Sequence, residues 1–154
     1  MDDAVRAVRE FIGADPQKGK NAWFTSNSGN GDHSVRQIST YIEGWTVYTV
    51  TQSKSLKLRH LESDPRASYL WVDDQPVPRR KNVWMKGIVD VISDQDEVAE
   101  FMARRAANLG FTPPVQNWER FVIRFKPTDL RAESFLGADA GNTPVVLKGS
   151  DFDL

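Results

Sequence analysis

Cysteine is absent from the 154 residues. That excludes disulfide bridges, thiolate zinc sites and a cysteine nucleophile, and it fits the reducing cytoplasm. A charge excess of either sign is absent too: 20 Lys and Arg against 21 Asp and Glu leave a formal net charge of -1. Nucleic acid is a poor match for such a chain, because its binding rests on neutralising many phosphates. No apolar run approaches the ~18 residues of a membrane span. The first residues, MDDAVRAVREF, are charged and lack an apolar centre, so no signal peptide is expected there. Histidine is scarce. His33 and His60 have no carboxylate partners at metal-ligand spacing, so both are expected at the surface and no metal site is expected. No Gly-x-Ser-x-Gly elbow and no Gly-x-Gly-x-x-Gly after a strand occurs, which leaves hydrolase and dinucleotide folds unsupported.

What is present is an ordinary globular composition, 40% hydrophobic and 27% charged, at a length that suits one domain. Asp2 to Ile12 reads as an amphipathic helix ended by Gly13 and Asp15-Pro16. Asn21–Asn27, Val35–Ile42 and Trp45–Thr51 read as strands, the last rich in β-branched and aromatic residues. Ser55 to Glu62 has helix formers, with Ser55 placed to cap it and Asp64-Pro65 to stop it. Ala67–Val72 and Asn82–Ile92 follow as strands around a loop, Asp73 to Lys81, with Gly87 marking a bulge. A helix runs from Asp94, at capping-box spacing from Glu97, through Val98, Phe101, Met102 and Arg105 to Leu109, and Gly110 and Pro113-Pro114 end it. Trp118–Phe125 and Asp129–Phe135 are expected as two strands around a Lys126-Pro127-Thr128 turn. All five tryptophans, Trp23, Trp45, Trp71, Trp84 and Trp118, fall in expected strands. Residues 1–136 form one domain on this reading, and residues 137–154 an extended or mobile C-terminal arm. Strands dominate and meander, which predicts an antiparallel barrel with a few helices.

One segment conflicts with local preference. A helix N-terminus carries partial positive charge, and acidic residues suit it. In Thr51-Gln52-Ser53-Lys54-Ser55-Leu56-Lys57 it receives Lys54 and Lys57 instead, with Arg59 beyond, and no acidic residue lies between Glu43 and Glu62. Each misplaced cation costs about 0.3–1 kcal/mol. A bound anion would resolve the conflict, and Thr51, Ser53 and Ser55 add hydroxyl donors, so the segment suits a phosphate. A solvated basic turn is the alternative. Arg36, mid-strand, is either a second anion contact or an exposed edge charge.

In their order these pieces resemble the pyridoxamine 5'-phosphate oxidase-like split barrels, small antiparallel barrels that bind FMN or, in some branches, a deazaflavin. The resemblance runs from Ala22 to about Phe135. It rests on the strand Val35-Arg36-Gln37-Ile38-Ser39, the strand Val47-Tyr48-Thr49-Val50-Thr51 followed by Ser55 and Lys57, the helix ending in Asp64-Pro65, and the strand containing Met85-Lys86-Gly87. It implies a mainly β fold with flanking helices, a split antiparallel barrel. It further implies that Arg36, Gln37, Ile38 and Ser39 lie along the flavin, and that Val50, Thr51, Ser55 and Lys57 hold its phosphate. Asn82 would meet the flavin, in this family often from the second subunit, with Trp84 nearby as the candidate to stack on the ring, in a homodimer with the cofactor at the interface. An FMN-dependent oxidoreductase acting on a small molecule is the implied activity. A deazaflavin-dependent reductase, with Arg79, Arg80 and Lys81 serving a longer tail, is the alternative on the same fold. A non-catalytic flavin-binding or stress-related module is the third reading. Where the vitamin B6 enzyme has Arg before the phosphate Lys, this chain has Leu56. Where it has a Lys after the Arg strand, this chain has Tyr41, and it ends in Gly, Asp and Leu rather than a basic, His-containing motif. The resemblance is therefore to general-stress-protein and flavin-reductase-like relatives.

Overall fold

The computed structural model describes residues 2–76, 79–113, 118–136 and 143–153. Among the described residues are seven strands: β1 (Lys20–Asn27), β2 (His33–Glu43), β3 (Thr46–Gln52), β4 (Arg66–Val72), β5 (Asn82–Ile92), β6 (Arg120–Glu133) and β7 (Val145–Lys148). They pair in the order β3-β2-β1-β4-β5-β6-β7, all antiparallel, and β3 also pairs with β6. That last pairing closes six strands into a barrel, with β7 as an extra strand and three α-helices around it. Closure removes the edges that an open sheet would expose.

Alternation along the strands separates the two faces. In β4, Ala67, Tyr69 and Trp71 point inward, and in β5, Val83, Met85, Gly87 and Val89 do so. The interior is aromatic at its centre: Tyr69 meets Phe24 and Phe125, each at 4.9 Å between ring centroids. Helix α1 (Asp3–Phe11) begins where the Asp2 carboxylate accepts the Ala4 N–H at 2.7 Å, and it buries Val8 and Ile12 in this core. Helix α3 (Gln95–Leu109) packs outside the barrel over a second apolar cluster, Tyr41, Ile92, Val98, Phe101, Met102 and Val122. Its start is capped by Asp94, which accepts the Glu97 N–H at 2.9 Å, and Gly110 ends it in the left-handed conformation. Polar ties hold it down. Arg104 donates two hydrogen bonds to Glu43 at 2.7 and 2.8 Å, and Asn108 donates to the Tyr41 hydroxyl at 2.6 Å.

The largest departure from expectation lies at Lys126-Pro127-Thr128. These residues do not turn the chain; β6 runs through them as one strand of 14 residues. Gly87 pairs with Pro127 and Lys86 with Asp129, so Thr128 is an extra residue, a bulge on β6 opposite Lys86 and Gly87. A proline cannot donate to a ladder, and here it sits where one edge of β6 changes partner. Residues Arg120 to Phe125 pair with β3, and Asp129 to Ala132 pair with β7. The strand stops at Glu133 because Ser134 turns to a positive φ of 70°. Trp45 and Trp118 lie just before strands rather than in them. Of the segment expected as an arm, 143–153 contains β7 and a 3-10 turn (Gly149–Phe152), whose Phe152 meets Trp45 edge-on at 5.6 Å. Residues 137–142, and Pro114 of the expected helix stop, lie outside the described residues. No helix among the described residues is long and apolar enough to cross a membrane.

Candidate functional site

Helix α2 (Leu56–Ser63) follows β3 directly and lies at one end of the barrel. Its first turn contains no acidic residue. Ser55 occupies the cap position, yet its side chain makes no cap hydrogen bond, contrary to the role expected for it. Instead the Ser55 hydroxyl oxygen is buried without a hydrogen-bond partner. Such an orphan costs roughly 1–3 kcal/mol unless something outside the chain satisfies it.

Lys57 is half-buried two residues on. Burial lowers its pKa, and the Arg36 guanidinium lowers it further. No carboxylate opposes these two effects, so the two cations share a region without a counter-ion from the described residues. The sheet explains their meeting. Arg36 pairs with Phe24 across β1 and β2, which puts it in the inward-facing row of β2, at an end of the strand where that row is exposed. The helix itself is anchored by Leu58, Leu61 and His60. His60 is 8% exposed and its Nδ1 lies 3.1 Å from the Ser26 hydroxyl on β1. The surface position expected for His60 is thus corrected: it is a satisfied buried histidine. Its signal was available in the sequence, because it sits between Leu58 and Leu61 on a two-turn helix.

The other candidate residues divide by strand alternation. Ile38 and Thr51 point inward, Ile38 half-buried against the core and Thr51 buried. Gln37 is exposed on the outer face, opposite Trp23. Ser39 and Val50 come together on that outer face in a cleft of about 80 Å³, which Tyr41, Tyr48, Phe101 and Arg105 also line. Sequence reasoning missed Arg105 as a site residue. It stands on the apolar face of α3, where burial first and Arg120 second lower its pKa.

Asn82 and Trp84 are elsewhere. They lie on β5, and β1 and β4 intervene between β5 and β2. Three strand spacings make this roughly 14 Å within one chain. Trp84 is 37% exposed and Trp23 is 41% exposed, and both stand in one outward row through Leu70. Beside Trp84 opens a larger cleft of about 440 Å³, with Thr25, Ser68, Lys86, Ile88 and Asp129 in its walls. Among the described residues no group of three or more His, Cys, Asp or Glu could hold a metal ion.

No protein-family model matches the chain, and no curated protein matches it. Solved structures do. A heme binding protein from Mycobacterium smegmatis superposes with a TM-score of 0.70 at 16% identity, over 99% of this chain and 60% of that one. This chain therefore spans less than two thirds of that protein's length. General Stress Protein 26 from Bacillus anthracis matches with a TM-score of 0.62 at 14% identity, over 92% of this chain and 98% of that one. A Listeria innocua protein provisionally described as a pyridoxamine 5'-phosphate oxidase matches with a TM-score of 0.64 at 17% identity, over 86% and 97%. These neighbours are split-barrel proteins, and the chain has the split-barrel fold of the pyridoxamine 5'-phosphate oxidase-like proteins.

Proposed function

We propose that this chain binds FMN noncovalently and works as an oxidoreductase on a small molecule, as a homodimer with the cofactor at the subunit interface. The observation that carries this reading is the anion cradle at the head of α2. Arg36 and Lys57 bring two positive charges together without a carboxylate, and the buried Ser55 hydroxyl, two residues before Lys57, lacks a partner. A phosphate monoester offers several acceptor oxygens and about two negative charges, which would satisfy all three groups. Arg36 to Ser39 along β2 and Val50 on β3 would flank the flavin, while Thr51 lines the inward side of the same strand end. When bound, the flavin supplies the redox chemistry, and the chain supplies position and electrostatics.

The distance to β5 supports the second subunit, given a flavin role for Asn82 and Trp84. Asn82 and Trp84 cannot reach β2 of their own chain, but a second copy docked on the outer face could present them. That face exposes Trp23, Val35, Val72, Trp84 and Ile88, more apolar surface than a solitary barrel requires. Two features favour FMN over a longer-tailed deazaflavin. Arg80 is tied back to the Gln75 carbonyl at 2.9 Å, and Lys81 lies over the Phe135 ring at 5.3 Å, so two of the three loop cations are already engaged. The cytoplasm is the compartment a cysteine-free flavoprotein of this kind would occupy.

The test is spectroscopic. Protein purified under mild conditions, or mixed with FMN, should show a flavin band near ~450 nm. Lys57→Ala should weaken FMN affinity by about tenfold or more, as loss of a charge-assisted contact to phosphate does. A protein that gains no flavin spectrum at saturating FMN would overturn the reading. Bleaching of the bound flavin by NADPH would separate an oxidoreductase from a carrier.

A further inference from the structure

We propose that the buried Ser26–His60 hydrogen bond is a positioning latch, which seats the head of α2 so that Ser55 and Lys57 stand against Arg36 as a preformed phosphate cradle. The inference rests on the FMN reading above and adds two residues that touch no part of the ligand.

The helix needs such a device. It has only eight residues, no acidic residue in its first turn and no side-chain cap bond at Ser55. Short helices without these supports are marginal by themselves. Its N-terminal turn also brings Lys57 toward a like charge, Arg36. Repulsion of that kind pushes the helix head away from β2 whenever no anion is bound. Tertiary contacts must hold it, and they include Leu58 and Leu61, which pack in the core, the Ser53 N–H donated to the Glu119 carbonyl at 3.1 Å just before the helix, and the polar tie from His60. Apolar contacts are tolerant of small sliding motions, whereas a buried hydrogen bond is directional.

Its register is informative. Ser26 pairs with Ser34 on β2, and two residues along, Phe24 pairs with Arg36. Strand alternation places Ser26, Phe24, Ser34 and Arg36 on the same inward face. The anchor point on β1 is therefore one row away from Arg36. On the helix, His60 lies one turn after Lys57, so the pair share a side. A bond from His60 to Ser26 thus fixes the height of Lys57 relative to Arg36 along the strands. Ser26 is 0% exposed, so no solvent competes for the bond. Its burial also argues against a nucleophilic role for the hydroxyl, since no substrate can reach it.

The experiment compares FMN with riboflavin, which lacks the phosphate. Both are titrated by fluorescence against wild type, Ser26→Ala, His60→Leu and His60→Asn, with amide hydrogen exchange recorded in parallel. Ser26→Ala and His60→Leu should weaken FMN about tenfold, the scale of one well-placed hydrogen bond, and leave riboflavin unchanged. Amides of residues 59–63, which have acceptors within α2, should lose protection while those of β4 and β5 keep it. His60→Asn, whose amide can still meet Ser26, should recover part of the FMN affinity. If wild type prefers FMN and every variant keeps that preference, the latch is wrong and the cradle stands. Equal losses for both flavins also overturn the latch, because they report general destabilisation. If wild type binds neither flavin, the FMN reading falls and the latch falls with it.

Discussion

Lys57 and Arg36 lie on different elements, one on α2 and one on β2, yet Lys57 feels the charge of Arg36, and no carboxylate among the described residues offsets that repulsion at Lys57. Burial and Arg36 both lower the pKa of Lys57, so the folded chain holds its proton less tightly than the unfolded chain. Stability linked to this group therefore rises as pH climbs from the lowered folded value toward the ordinary 10.5. At neutral pH the charged form is a burden on the fold.

Lys57→Met should accordingly raise the thermal midpoint of the flavin-free protein at pH 7. The gain over wild type should shrink as pH rises through the alkaline range. Inorganic phosphate should stabilise wild type more than it stabilises the variant, once the general effect of the salt on both is subtracted. Thermal scans across pH, with and without phosphate, check both signs. A wild type no more responsive to phosphate than Lys57→Met would remove the anion from the argument.

Gly87 marks a second constraint. A Cβ there would collide with the Lys126 carbonyl and lie 2.7 Å from Cζ of Phe125. The neighbours are backbone and a core ring, so neither can move aside cheaply. Gly87→Ala should cost about 2–3 kcal/mol in urea denaturation, the usual scale of overpacking. A loss under ~0.5 kcal/mol would mean that the bulge at Thr128 can relax.

That bulge also shows where sequence reading succeeds and fails. Asn82–Ile92 was legible to the residue, with Gly87 flagged, because alternation and β-branching persist along the strand. The local pattern predicts a turn at Pro127, since a proline between two apolar runs usually marks one. Only the partners explain why it does not: β6 changes neighbours at that point, and pairing is a long-range property that a local pattern lacks. At the candidate site, the misplaced cations of α2 were visible as a conflict with the helix dipole, so Lys57 and Ser55 could be found. Arg105 and the Ser26–His60 bond could not, because each depends on which strand or helix lies opposite. Asn82 and Trp84 came from the family resemblance alone, and strand order separates them from β2.

Acid should act through Asp64. Asp64 is the C-terminal cap residue of α2; its carboxylate is 9% exposed and accepts hydrogen bonds from the Arg66 guanidinium at 3.0 and 2.8 Å and from the Arg66 N–H at 3.0 Å. These bonds hold its pKa down at about 2. A carboxylate with a depressed folded value contributes stability that is present above its unfolded pKa and lost as pH falls through the folded one. The window is from about pH 4 down to pH 2. Asp64→Asn should be less stable than wild type at pH 6, and the gap should narrow steadily below pH 4. Chemical denaturation at pH 6, 4 and 3 measures it; a gap that stays constant with pH would show that the charge is not what matters.

A relay of hydroxyls inside the barrel gives the last prediction. The Thr49 hydroxyl donates to the Ser39 carbonyl at 3.2 Å, which leaves its oxygen to accept the Tyr69 hydroxyl at 2.9 Å. Tyr69 is 0% exposed, and burial pushes its pKa up, so it remains a neutral donor throughout the accessible pH range. Removing the donor and removing the acceptor are then unequal. Tyr69→Phe deletes one hydrogen bond and leaves Thr49 still bonded to Ser39, a loss of about 1 kcal/mol. Thr49→Val strands the Tyr69 O–H in an apolar core and releases the Ser39 carbonyl, a loss of about 2–3 kcal/mol. The double variant should be more stable than Thr49→Val alone, because no buried donor is then left without a partner. Urea denaturation of the three proteins decides it. If Thr49→Val is no worse than Tyr69→Phe, the relay runs in the other direction or water reaches the tyrosine. Because Ser39 is a candidate flavin-strand residue, Thr49→Val should also weaken FMN binding, and Tyr69→Phe should not.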